Sequence, residues 1–309
     1  MSFFAIFFTV SQLNEKQKNL LIKTIVIASV IISIYSIYQY FWGYQRTLDY
    51  LRKINSDFLL KSSYAKDILI AKRTIGTFPS PTVFGGYLII MFFFSLHLIR
   101  DGAHFLKNGL RPLFWYAASL LIAIALIFTK SMGAWLSLTF ALTILVILSY
   151  KSLKKQKIIP ITTFILIAIV ITFILINRWE RLTNLENPQN SITQRLNYWR
   201  TSMAIIKAHP ITGVGAGNFK EVFLKYKVGV TTNTRYAHNI LLHQGVETGI
   251  LGLLSVVYLI ILFLRKFKED PKNSIILLGG LAFFSHNLID NTYFIPQVGL
   301  FFWILLALI

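Results

Sequence analysis

Long apolar runs separated by short basic segments set the pattern of this chain. Leu20–Trp42 is long enough to span a bilayer, which takes about 20 mostly apolar residues. Similar runs follow at Val83–Ile99, Leu113–Phe128, Ala134–Ser149, Ile158–Ile176, Asn239–Leu264, Ser274–Phe284 and Ile295–Ile309. Counting the apolar stretch Met1–Val10 as the end of a helix, we expect about nine crossings. The pattern predicts an all-α, polytopic integral membrane helix bundle.

Four short segments rich in lysine and arginine alternate with these runs. They are Glu15–Lys23, Arg100–Arg111, Lys151–Lys157 and Arg265–Lys272. By the positive-inside rule these segments are cytoplasmic. The opposite, extracytoplasmic side then holds Gly43–Thr82, the turn Lys130–Gly133 and the long segment Asn177–His238. We therefore expect membrane helices in residues 1–176, a periplasmic loop in 177–238 and C-terminal membrane helices in 239–309, within a single domain.

The composition and charge of the chain limit the classes of partner that it is expected to bind. Of the 309 residues, 55% are hydrophobic, which excludes an ordinary soluble domain, and the net charge is +19. In a soluble chain that charge would suggest nucleic acid, but here it lies mostly in short loops, so membrane lipids and an anionic substrate are expected instead. The chain has no cysteine, and its outer segments carry no paired acidic motif, so we expect neither a metal nor another cofactor.

The long outer segment predicts short helices. Ser191–Gln194 is typical of a capping box. Apolar residues then recur at helical spacing and form an amphipathic stripe: Ile192, Leu196, Trp199, Met203 and Ile206. The helix should end near His209, because Pro210 disfavours helix in the residue before it. The glycines of 213–217 favour a tight turn over a phosphate cradle, since no strand precedes them.

The stretch Arg235–Leu254 runs from polar and basic residues directly into an apolar segment. His238 and Asn239 stand where a helix would enter the membrane. Gly245, Gly249 and Gly252 are predicted to share one face of that helix and to let a neighbouring helix approach closely. A second, polar face is formed by residues four apart: Asn239, His243 and Glu247. On this face we expect the side chain of His243 to pair with the carboxyl group of Glu247.

These residues carry a resemblance. His238-Asn239, nine residues and Gly249-x-x-Gly252 resemble the H-N-x9-G-x-x-G signature of the O-antigen ligase and polymerase superfamily. Its members are bacterial inner-membrane enzymes that move glycans off a polyprenyl pyrophosphate carrier. The superfamily's outer-loop pattern is matched by Arg195–Phe219, its last periplasmic turn by Ser285–Gln297, and an earlier segment by Arg73–Phe78. The resemblance runs from about residue 25 to the end of the chain.

The chain departs from the superfamily's pattern in two places. Family members often have S-R-G-A at the tight outer turn, whereas this chain has Ser131-Met132-Gly133-Ala134, so the positive charge has moved to Lys130 or is lost. Lysine does not replace the bidentate contact of arginine. The family also usually has more spans than the pattern here predicts, so we expect the first spans to be missing, as in a fragment, a late start or a reduced member.

The resemblance implies transfer of a glycan from undecaprenyl pyrophosphate to an acceptor hydroxyl on the periplasmic face of the inner membrane. Arginine suits the pyrophosphate, and Arg195 is the first candidate, followed by Arg235. Arg73 either binds pyrophosphate or is structural, and Lys130 is a weaker candidate. His238 is the expected base, or it orients the acceptor, with Asn239 or a backbone carbonyl setting its tautomer. Asn239 is also a candidate for binding the pyrophosphate or the acceptor.

Other polar residues favour a structural interpretation. Arg200 lies on a different helical face from Arg195 and is expected to be a solvated surface charge. Glu247 is expected to be a structural partner of His243. His286, Asn287 and Asp290 could be taken for metal ligands, but capping or packing is the expected role.

Several functions share this donor chemistry. An O-antigen ligase acting on lipid A–core is favoured, with a polymerase or a protein oligosaccharyltransferase of the same superfamily as alternatives. A non-catalytic lipid or glycan transporter is the alternative from another class. Two related halves would support transport, but the sequence contains no evident internal repeat. The outer segment, with its clustered arginines and histidine, favours an enzyme.

Overall fold

The computed structural model describes residues 3–54, 62, 65–103, 111–150, 183–188, 190–229, 231–269 and 274–309. Within these residues every regular element is helical. The α-helices are α1 (Phe3–Ser11), α2 (Glu15–Tyr38), α3 (Tyr44–Lys53), α4 (Pro81–Ala103), α5 (Arg111–Phe128), α6 (Met132–Tyr150), α7 (Ser191–Ala208), α8 (Phe219–Tyr226), α9 (Ile240–Glu269), α10 (Ser274–Asn287) and α11 (Pro296–Leu308). The predicted span Ile158–Ile176 and the basic segment Lys151–Lys157 lie outside the described residues.

Three helical segments in the described residues are long and apolar enough to cross a membrane. They are Glu15–Lys53, Pro81–Arg100 and Ile240–Phe267. Four shorter apolar helices accompany them: Leu113–Phe128, Met132–Ile147, Ser274–Asn287 and Pro296–Leu308. The all-α class predicted from the apolar runs is therefore confirmed, with three helices among the described residues that qualify as candidate membrane spans. The number of crossings, their orientation and the three-part division of the chain stay predictions.

The chain forms two compact units. The first comprises Met1–Trp135, Lys272–Phe283 and Ile295–Ile309, and the second comprises Leu136–Pro271 and Phe284–Phe294. In the first unit, α4 packs against α5 and α2, and its apolar side chains Phe84, Phe93 and Phe94 are fully buried. In the second unit, α7 packs against α9 and α8.

Helix α7 begins one residue before the position that the predicted capping box gives it. Its N-cap is Asn190, whose side-chain oxygen accepts a hydrogen bond from the backbone of Ile192 at 3.0 Å. The side chain of Gln194 does not return to the cap; it donates to the carbonyl of Pro188 and accepts from the hydroxyl of Tyr198. The capping box is therefore wrong, whereas the predicted end is confirmed, since the helix stops at Ala208.

The buried face of α7 is not the predicted apolar stripe. The residues that it buries are Asn197, Tyr198, Thr201, Ser202 and Ile205, three of them small and polar. Two members of the stripe, Leu196 and Met203, are instead 39% and 46% exposed. A hydrogen bond helps to explain why polar residues of α7 are buried in place of Leu196 and Met203. Thr201 accepts from the backbone of Val228 at 3.0 Å, which favours the side of the helix that carries Thr201 facing inward.

Helix α9 is broken at Gly249. This residue has φ 65° and ψ −152°, a conformation found almost only for glycine. The prediction that Gly245, Gly249 and Gly252 share one face of a continuous helix is therefore wrong. The break separates a buried first arm, in which Val246 is fully buried, from a second arm on which Leu251 is 73% exposed.

The glycine-rich turn before α8 fills this break. The amides of Val214 and Gly215 donate to the carbonyls of Val246 and Glu247, each at 2.9 Å, and the amide of Ile250 donates to Pro210 at 3.0 Å. Neither Gly213 nor Gly249 has room for a side chain: a Cβ on Gly213 would lie 2.6 Å from the Gly249 nitrogen, and one on Gly249 would overlap the carbonyl of Ile211. Since two of the turn's amides are committed to helix carbonyls, the turn is not a phosphate cradle.

Candidate functional site

Asp290 contacts both Arg195, the first candidate for binding pyrophosphate, and His238, the expected base. Its Oδ2 accepts a hydrogen bond from Nη2 of Arg195 at 3.1 Å, and its Oδ1 lies 3.3 Å from Nδ1 of His238. Arg195 comes from the first turns of α7, His238 from the segment before α9, and Asp290 from the turn after α10. Three separate segments of the second unit thus converge on one carboxylate, whose side chain is only 4% exposed.

The charge state of Asp290 follows from its surroundings. Burial alone would raise the pKa of this carboxyl, but the hydrogen bond with His238 and the charge of Arg195 outweigh it and lower the pKa well below the usual range of aspartate. The group is therefore a carboxylate that only accepts hydrogen bonds. The bond to Nδ1 of His238 then requires the ring proton on Nδ1, which leaves Nε2 of the neutral ring with a free lone pair.

Neighbouring groups hold His238 in place. Its φ is 53°, an uncommon backbone conformation for a residue with a side chain, and one that clusters at functional sites. The ring of Tyr198 stacks on the imidazole with centroids 5.5 Å apart, and Nε1 of Trp199 donates to the His238 carbonyl at 3.4 Å. The side chain nevertheless keeps 25% of its surface exposed, so a ligand can reach it.

His243 has a different role from His238. Its Nδ1 accepts from the backbone amide of Ala237 at 3.4 Å, so the ring proton is on Nε2, which lies 3.4 Å from Oε1 of Glu247. The expected pairing of His243 with Glu247 is confirmed. The residue is 2% exposed, and its ring contacts that of Phe294 with centroids 4.4 Å apart. This buried histidine fixes the turn that precedes His238.

Asn239 caps α9. Its side-chain oxygen accepts from the backbone of Leu242 at 3.1 Å, and its amide nitrogen donates to the carbonyl of Leu288 at 3.0 Å. The first bond is the usual one of an N-cap, and the second ties α9 to the turn that carries Asp290. The expectation that Asn239 sets the tautomer of His238 is therefore corrected, because Asp290 makes that contact.

Arg73 and Lys130 lie together in the first unit. Nη1 of Arg73 contacts both carboxylate oxygens of Asp67, at 2.8 and 2.6 Å, and its Nε donates to the carbonyl of Thr129 at 3.3 Å. Nζ of Lys130 donates to the carbonyl of Ala71 at 2.8 Å. Of the two roles left open for Arg73, these contacts support the structural one, in which both cations bind the segment after Asp67 to the turn after α5.

Two further arginines of the second unit are exposed. Arg235 lies three residues before His238, and no hydrogen bond or ion pair joins its side chain to the described part of the chain. Arg200 is exposed as expected, with a single 3.5 Å contact to Asn197. Arg235 is thus available to a ligand near the site.

The sequence did not single out Asp290 for the site. Residues 195, 238 and 290 are far apart in the chain, and no periodicity links them. An electrostatic argument could have found it: an aspartate in an apolar setting needs a cationic partner, and Arg195 and Arg235 are cations predicted on the same, outer side. Within the residues that the structure describes, no three histidine, cysteine, aspartate or glutamate side chains are grouped closely enough to hold a metal ion.

The middle of the chain is similar to a known protein family. Residues 117–257 match the family model described as O-Antigen ligase, which confirms the superfamily that the motifs indicated. The matched region contains Arg195 and His238 but ends before Asp290. No curated protein matches the chain.

Proposed function

We propose that this chain, whose residues 117–257 carry an O-antigen ligase domain, transfers a glycan from undecaprenyl pyrophosphate to a hydroxyl of lipid A–core. The match to the O-antigen ligase family model supports glycan transfer of the ligase or polymerase type. The donor, the acceptor and the roles of individual residues are our proposal. The reaction takes place on the periplasmic face of the inner membrane, where the donor glycan is displayed.

The observation that carries the proposal is the bridge formed by Asp290 between Arg195 and His238. It brings a cation for the leaving group and a base for the nucleophile to one carboxylate. An arrangement in which a base is oriented by a third group is the usual signature of an activated nucleophile.

The acceptor hydroxyl loses its proton to Nε2 of His238 as its oxygen attacks the anomeric carbon of the donor sugar. A bond forms between that oxygen and the anomeric carbon, and the bond from this carbon to the pyrophosphate oxygen breaks. The electron pair of the broken bond leaves with undecaprenyl pyrophosphate, and the proton remains on the imidazole. Asp290 stabilises the imidazolium that results, because its carboxylate already lies at Nδ1.

Arg195 is proposed to hold the pyrophosphate. Among the described residues only its Nη2 has a partner, and its Nε is buried without one. The side chain as a whole keeps 20% of its surface exposed, so a phosphate oxygen can reach its accessible part. The exposed guanidinium of Arg235, near His238 in sequence, supplies a second cation for the charge that develops on the leaving group.

The test is transfer by the purified full chain in lipid nanodiscs. Undecaprenyl-pyrophosphate-linked O-antigen is supplied with lipid A–core, and the products are analysed by mass spectrometry. We expect a product with the combined mass of glycan and lipid A–core, together with free undecaprenyl pyrophosphate. Lys225→Ala, which alters an exposed cation of α8, should leave the yield unchanged, whereas Arg195→Ala should abolish it.

Two results would contradict the proposal. A glycan that lengthens on its own carrier, with lipid A–core unmodified, would show a polymerase. Donor that stays intact with every acceptor, while the protein is folded and binds the donor, would show that the chain does not catalyse the transfer.

A further inference from the structure

Helix α7 leaves two apolar side chains of its predicted stripe exposed, while two others, Trp199 and Ile206, pack partly against the core of the second unit. The side chains of Asn197, Thr201 and Ser202 are buried, while Leu196 and Met203 are exposed. The hydrogen bond from the Val228 amide to Thr201 holds the helix in this orientation, whereas Ser202 donates to the carbonyl of Tyr198 within the helix. An apolar stripe held outward in this way calls for a partner other than water.

The outward side of α7 forms an open groove of about 470 Å³. Its lining residues are Leu196, Trp199, Arg200, Met203, Ala204 and Lys207. They recur at spacings of three and four, so they lie along one side of the helix. Two of the six are cations and none is acidic, and the one tryptophan is a residue type enriched at membrane–water interfaces.

The apolar surface continues beyond the helix. Ile211, three residues after the end of α7, is 70% exposed. Its carbonyl lies against Gly249 at the break in α9, so it is adjacent to the start of the second arm. That arm exposes Leu251 and Leu254 and belongs to the candidate membrane span. The groove thus leads towards the exposed apolar side chains of a candidate membrane span.

We propose that this groove, residues 196–207 of α7, binds the headgroup layer of the outer leaflet of the inner membrane, with a preference for anionic phospholipid. Leu196 and Met203 enter the upper acyl chains, and the Trp199 ring lies at the boundary. Arg200 and Lys207 extend their apolar stems along the surface and place their charges at lipid phosphates.

Anionic lipid is the occupant that charge favours. A protein partner would need acidic groups to match two cations beside an apolar stripe, whereas an anionic bilayer supplies both phosphate and hydrocarbon. The inference concerns where the helix lies and does not depend on the proposed reaction. If that reaction is correct, docking sets the height of Arg195, one residue before the groove, at the level of the donor pyrophosphate.

Labelling can test the inference because the chain has no cysteine. Met203→Cys is introduced into the full chain, labelled with a small fluorophore and placed in nanodiscs of phosphatidylcholine and phosphatidylglycerol. We expect strong quenching by shallow spin-labelled lipid and weak quenching by iodide in the water. Asn233→Cys, at an exposed position of the same unit, is the matched control and should show the reverse.

A second experiment tests whether the two cations of the groove cause the preference for anionic lipid. Arg200→Gln with Lys207→Gln should lower the preference of the Met203 label for spin-labelled phosphatidylglycerol over spin-labelled phosphatidylcholine. Each cation near an anionic surface is worth about fivefold, so up to about thirtyfold in preference should be lost. Thermal unfolding of each variant checks that the fold is retained.

Three results would overturn the inference. Quenching of the Met203 label by iodide and not by lipid would place the groove in water. Protection from both quenchers would show that protein covers it. A label that responds only to added undecaprenyl phosphate, and not to the phospholipid, would make the groove a site for the donor's isoprenoid chain.

Discussion

Replacing Asp290 by asparagine separates the charge at the centre of the site from its shape. Asparagine has nearly the same size as aspartate, so the turn after α10 is retained. If its side-chain oxygen still accepts from Arg195, its amide nitrogen takes the position of Oδ1, where it faces Nδ1 of His238 and donates to it. The ring proton is thereby moved to Nε2, and His238 can no longer accept a proton from the acceptor hydroxyl. The backbone amide of Asn291, which donates to Oδ1 at 3.0 Å, then loses its acceptor.

The size of the effect follows from these contacts. Loss of a general base costs on the order of 10²–10⁴-fold in turnover, and Asp290→Asn should fall in that range. Donor affinity should change less, because Arg195 keeps one hydrogen bond and its charge. Lowering the pH should not remove the charge of Asp290. The depressed pKa keeps this carboxyl ionised well below the ordinary aspartate value of about 3.9, so its contribution to stability is present above that value and is lost only in strong acid.

The assay measures single-turnover transfer and donor binding for Asp290→Asn, His238→Ala and the double variant. If Asp290 acts through His238, the double variant should be about as slow as His238→Ala alone, since residues that act as a unit are non-additive. Losses that multiply would refute the reasoning, as would an Asp290→Asn variant that keeps full turnover. Thermal unfolding of each variant excludes loss of fold as the cause.

Three further outcomes are expected. Arg195→Ala should abolish transfer while the protein stays folded in the membrane, and Arg195→Lys should recover little, because the fork that donates two parallel hydrogen bonds is lost; full activity of the lysine variant in the transfer assay would remove the pyrophosphate argument. Gly249→Ala should destabilise the fold by about 1–3 kcal/mol from backbone strain alone, measured by thermal unfolding, whereas Gly245→Ala meets only the end of the Ile206 side chain and should cost less. Cysteines at Asn187 and Arg265 should react oppositely with an impermeant reagent, Asn187 from outside only, and labelling of Arg265→Cys from outside would overturn the topology.

The sequence predicts those parts of the molecule that local pattern controls. Apolar runs of bilayer length predict the membrane helices, and Pro210 predicts the end of α7. The spacing of four between His243 and Glu247 predicts their contact, because residues four apart lie on the same side of a helix. In each case the information lies within a few residues of the feature.

Contacts between residues far apart in the sequence explain the predictions about α7 and α9 that were wrong, and the absence of Asp290 from the predicted site. The stripe of α7 suggested a buried apolar side, but hydrogen bonds such as that from Val228 to Thr201 turn the polar side inward. The spacing of the glycines in α9 suggested a helix-packing face, yet Gly249 interrupts the helix where residues 210–215 enter it. The partnership of Asp290 with Arg195 spans 95 positions in sequence, beyond any local pattern.

The central claim is that His238 takes the proton in the transfer, and one comparison of two histidines tests it most directly. Purified His238→Ala and His243→Ala are assayed for turnover, donor binding and thermal stability in the same nanodiscs. His238→Ala should lose on the order of 10²–10⁴-fold in turnover while binding donor and unfolding normally. His243→Ala should instead lower the stability, because it leaves Glu247 without its buried partner. Retained turnover in His238→Ala, together with lost turnover in a normally stable His243→Ala, would contradict the account and assign the chemistry to the other histidine.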